Sequence, residues 1–130
     1  MSDAAETFRS SLETIERAYE FMLAYAAQGR ATDEGQSVGP SIRETLDDLH
    51  TALGSIAAEA ANAYGDDANS GFIDALGDDA ARASHSVQLA LSCNRISSQL
   101  IDNLNASIHL RAVLTGLFLA DEALNISSVR

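Results

Sequence analysis

Phe8-Arg-Ser-Ser-Leu12-Glu-Thr-Ile15-Glu-Arg-Ala-Tyr19-Glu-Phe-Met22-Leu-Ala-Tyr-Ala26 decides the fold. Its apolar residues Phe8, Leu12, Ile15, Tyr19, Met22 and Ala26 recur at alternating spacings of four and three. The same rhythm returns in Ile42, Leu46, Leu49, Leu53, Ile56 and Ala60. Side chains spaced in this way share one stripe of an α-helix, and the stripe leaves water only if a second helix lies lengthwise along it. Two such stretches joined by a short connection predict an antiparallel hairpin of helices.

The ends of both helices are marked. Asp3 with Glu6 has the spacing of a capping box, and Gly29 supplies a left-handed stop. Residues 30–39 carry no period and two glycines, and so predict a loop. Pro40 suits a first helical turn, Ser41 with Glu44 forms a second capping box, and Gly65 ends the second helix.

The second half is less regular. Asp66 to Gly71 is a polar connector, and from Asp78 onward no Gly or Pro interrupts until Gly116. Leu89, Cys93, Ile96, Leu100 and Leu104 make one stripe, with Cys93 as a small buried hydrophobe. Beyond Asn105 apolar residues cover most of the helix circumference. A turn within Ile101–Ala106, with Asn in the left-handed conformation, gives an antiparallel four-helix bundle with helices at about 3–28, 40–64, 72–102 and 105–125 in one domain, 1–130. The alternative is a helical hairpin plus one long C-terminal helix. Much of the expected interior is alanine and few residues are aromatic, so burial within one chain is thin. Self-association, a dimer foremost, follows as an expectation, with Ile108, Val113, Leu114, Leu117 and Phe118 as the interface.

Charge narrows the function classes. Nineteen acidic residues face eight basic ones, for a net charge of −11. Such a surface repels phosphate backbones and anionic lipid, which argues against direct nucleic-acid or membrane binding. Met1 to Arg9 lacks the basic start and apolar run of a signal peptide, and Ala112–Ala120 is about half of a membrane span, so a cytoplasmic location is expected. A single cysteine rules out an internal disulfide.

Chemistry-bearing motifs are weak. Asp66, Ser70 and Asp74 overlay positions one, five and nine of a calcium-binding loop. Ala68 and Gly77, however, stand where two further ligands belong, including the bidentate glutamate. Asp47-Asp-Leu-His50 is the one acid–histidine pair with di-metal spacing, and such sites need two. No phosphate loop or nucleophile–base pattern is present, so no catalytic residue and no cofactor is expected. The reading is a non-enzymatic acidic interaction protein: an adaptor, accessory subunit or chaperone-like factor that binds a protein partner through an apolar helix face. In size and charge alone it is similar to the small acidic helical proteins that shield export or filament subunits. A nucleic-acid-mimicking inhibitor and a metal- or cofactor-holding bundle are the alternatives.

Overall fold

The computed structural model describes residues 3–35, 39–64 and 69–128. They form five helices, α1 (Asp3–Ala26), α2 (Ile42–Tyr64), α3 (Ser70–Leu91), α4 (Ser98–Asn105) and α5 (Ile108–Ser128), and no strand among the described residues. The protein is all-α. No helix among the described residues is long and apolar enough to cross a membrane.

The first two helices follow their seams. All six stripe residues of α2 are buried, joined by Thr45 and Ala52 on its flanks. On α1, Phe8, Leu12, Ile15 and Met22 are buried, but Ala18 and Tyr25 replace Tyr19 and Ala26 as the fully covered positions. The buried face of α1 thus swings around the helix towards its C-terminus. There α1 meets α4 in addition to α2, and a second neighbour widens the covered arc. The two helices run antiparallel, since Phe8 near the start of α1 meets Tyr64 at the end of α2 edge to face, with centroids 6.2 Å apart. Gly29, at φ +66°, makes the left-handed turn after α1 that a side-chain-bearing residue would resist. Ser41 caps α2 by accepting a hydrogen bond from the Glu44 amide at 3.0 Å. The expected stop at Gly65 lies outside the described residues.

The expected helix over 72–102 is corrected: α3 ends at Leu91, and the chain reverses through residues 92–97. The stripe drawn across this break does not exist, because Leu89 is 67% exposed and Cys93, half-buried, sits in the turn. The buried face of α3 is Leu76, Ala80, Ala83, Val87 and Ala90, a seam in smaller residues. Small residues let α3 approach α2 closely: a Cβ placed on Gly77 would lie 3.4 Å from that of Ala57. Burying many alanines contributes little area per residue, but close backbone approach recovers dispersion contacts.

The long C-terminal helix of the alternative arrangement is likewise absent. α4 and α5 together descend as one interrupted rod, α4 packing mainly on α1 and α5 mainly on α3. The interruption at Ala106–Ser107 lies at the edge of the expected turn, yet no Asn there is left-handed and the chain does not reverse. A change of packing partner explains the offset, since a straight rod could not follow both neighbours. One cluster of buried side chains draws on all five helices.

Candidate interaction surface

Among the described residues, three places bear on function. The first is a polar knot at one end of the bundle, joining the α1–α2 loop to the α3–α4 turn. Arg43 donates to the Leu91, Cys93 and Asn94 carbonyls at 3.3, 2.8 and 3.0 Å and to Asp33 at 2.8 Å. These carbonyls lie at the end of α3, where intrahelical donors run out. Asp33 also accepts from the Ile96 amide at 2.9 Å. Hydrogen bonding from Arg43, supported by the Ile96 amide, holds its carboxyl below the ordinary aspartate value against the opposing effect of burial. Tyr25 Oη donates to the Ile96 carbonyl at 2.6 Å, and the Ser98 hydroxyl donates to the Tyr25 carbonyl at 2.7 Å while accepting from the Arg30 amide at 2.8 Å. Among the described residues each of these groups pairs with another, so the knot acts as a fastening between the loop and the turn.

The second place is an open groove of about 680 Å³ between α1 and α2, lined by Ser11, Thr14, Arg17, Phe21, Thr45 and Asp48, among others. The hydroxyls of Thr14 and Thr45 donate to carbonyls one turn back on their own helices, at 3.1 and 2.9 Å. What remains is an open furrow of mixed lining, its apolar part supplied by Ala18, Phe21, Pro40 and Ala52.

The third is the outer face of α5. Sequence alone could not say which side of this broadly apolar helix turns inward. Val113 and Leu117 are fully buried and Leu114 nearly so, so these three expected interface residues belong to the core. Ile108 and Phe118 remain outside at 74% and 51% exposure, joined by Leu119 at 62%. Leu119 was missed because the apolar run gave no inside or outside; its neighbour Ala120, rather than Leu119, continues the buried face of Val113 and Leu117. Beside this face lies an apolar cleft of about 350 Å³ between α3 and α5, lined by Phe72, Ala75, Leu76, Ala112, Thr115 and Gly116, with Asp79 at its edge. His109 Nδ1 lies 3.4 Å from Asp79 on the same flank.

Comparison with family models, with curated proteins and with solved structures finds no match. Function must therefore be argued from these surfaces.

The weak calcium-loop overlay gains no support from the geometry of its described part. Ser70 and Asp74 both lie on α3, and the residues that would fill positions five to twelve are already helical. A helix cannot wrap an ion with successive side chains as that loop does. Asp66 lies outside the described residues. Among the described residues no three His, Cys, Asp or Glu side chains come together in a way that could hold a metal ion.

Proposed function

We propose that this chain is a non-enzymatic, acidic helical interaction protein, an adaptor, accessory subunit or chaperone-like factor, that engages a protein partner through the outer face of α5. One observation carries the reading: Ile108, Phe118 and Leu119 stand exposed on one side of a helix whose opposite side is fully used by the core. Exposed large apolar side chains gathered on one element mark contact surfaces more often than singly scattered ones do. α1 exposes charge at Glu6, Glu13, Arg17 and Glu20 with a single large apolar side chain, Leu23, and α2 exposes Glu44, Asp47 and Asp48 with no large apolar side chain among the described residues.

The test is hydrogen exchange on the chain with and without proteins retained from native extract at physiological salt. Protection should rise along 108–123, and Phe118→Asp with Leu119→Asp should abolish retention while leaving the helical spectrum unchanged. Protection confined to α1 and α2, with binding that collapses as salt rises from about 0.05 to 0.5 M, would favour the phosphate-mimic alternative instead.

A further inference from the structure

We infer that the outer face of α5 pairs with the same face of a second copy of this chain, the two α5 helices lying antiparallel about a two-fold axis between Gly116 and Leu117. The inference rests on the reading of that face as a binding surface and names its occupant.

Charge supplies the first argument. A molecule of net charge −11 repels its own copies over most of its surface. α5 is different, since its described exposed positions carry one cation, Arg111, and one anion, Glu122. Neither has an ionic partner within its own chain among the described residues. They sit eleven residues apart on nearly the same line of the helix, about 16 Å along the axis, too far to pair with each other. A parallel pairing of two α5 helices would set Arg111 against Arg111 and Glu122 against Glu122. An antiparallel pairing centred between Gly116 and Leu117 sets each Arg111 against the Glu122 of the other copy, twice. A two-fold axis demands this kind of self-complementarity.

Shape supplies the second. Ile108, Arg111, Thr115, Phe118 and Glu122 are all exposed and recur at spacings of three and four, an outer seam opposite the buried one. Gly116 packs beside Leu76 and Phe72, which fixes the α3 side of the helix, and Leu119 lies on that side of the exposed arc. The two-fold keeps Leu119 on the same side. It therefore lies at the level of Leu114 on the other copy, over the mouth of the cleft lined by Phe72, Leu76, Ala112 and Gly116. One flank of the pairing is ionic and the other places a leucine over an apolar cleft.

Sedimentation equilibrium on the full chain tests this. The wild type should dimerise, and Arg111→Glu and Glu122→Arg should each raise the dissociation constant about tenfold or more. Arg111→Glu combined with Glu122→Arg should restore dimerisation, because the swapped charges again face their opposites. Leu119→Asp, with an unchanged helical spectrum, should be monomeric. A wild type that remains monomeric at about 0.3 mM, or a dimer that ignores both single swaps, overturns the inference. Failure here leaves the partner-binding reading to be judged by whether Phe118→Asp with Leu119→Asp still loses its captured protein.

Discussion

Asn105 is the residue with the least apparent reason to be where it is. It is 6% exposed at the end of α4, and neither its Oδ1 nor its Nδ2 has a hydrogen-bond partner among the described residues. Burying an amide without compensation costs about 1–3 kcal/mol. Leucine has the same number of side-chain heavy atoms and the same branching, in a larger volume, and carries no polar atom to satisfy. Asn105→Leu should therefore stabilise the chain by about 1–2 kcal/mol, read as a higher urea midpoint at unchanged slope. A loss of stability with Asn105→Leu and also with the smaller Asn105→Ala would show instead that the amide is satisfied and helps hold the junction between α4 and α5. Tyr25 shows the opposite economy. Although it lies off the heptad line, it is fully buried, and its hydroxyl reaches the Ile96 carbonyl.

At the scale of elements, the reversal between α3 and α4 depends on a side chain from a third helix. Arg43 gathers three carbonyls at the end of α3 and is itself aligned by Asp33. Arg43→Met keeps the aliphatic stem but removes every donor. It should cost about 1.5–2 kcal/mol, the lower part of the range for charged hydrogen bonds because the side chain is partly exposed. Exchange of the Ile96 and Ser98 amides should rise well before that of the α2 core. Asp33 adds a pH dependence. Its folded-state value lies below the ordinary one, so its contribution is complete above about pH 4 and disappears as pH falls through the lowered value. Asp33→Asn should accordingly be destabilising at neutral pH, and the difference should shrink as pH falls below the ordinary aspartate value, about 4. Neither residue could be read from the sequence as a fastening, because both act across long separations in the chain. The α1 and α2 seams were legible since large side chains such as Leu12, Ile15, Leu46 and Leu53 mark them. α3 was not, because Ala80, Ala83 and Ala90 form its buried line while Leu89 points outward. The same ambiguity split the expected interface. On a helix that is apolar nearly all round, period alone does not separate Leu117 inside from Phe118 outside, and only the position of α3 decides it.

For the molecule as a whole, the imbalance of acid over base is the main opposing electrostatic force. It is felt most directly at Glu16, whose carboxyl is pushed above the ordinary glutamate value by partial burial and then by the neighbouring charges of Asp121, Glu20 and Glu13. A raised folded-state value means that the folded chain holds this proton more tightly than the unfolded one. The resulting stabilisation is present below the ordinary glutamate value, about 4.3, and is lost as pH rises through the raised one. Once the carboxyl is ionised in both states, only the folded one bears the cost of burial and the repulsion. Glu16→Gln should therefore raise stability at pH 7 by no more than about 0.5 kcal/mol, since solvent screens a partly exposed site. The gain should shrink towards pH 4 and in high salt, where the Debye length falls to a few ångströms. Salt should act on the wild type in the same direction, raising its urea midpoint between about 0.05 and 0.5 M NaCl. Chain concentration must be held fixed throughout, because any pairing of α5 faces would itself add stability by mass action. If salt instead lowers the midpoint, ion pairs such as Arg9–Asp121 and Asp33–Arg43 outweigh the repulsion among the remaining carboxylates. The acidic surface would then be part of what holds the helices together.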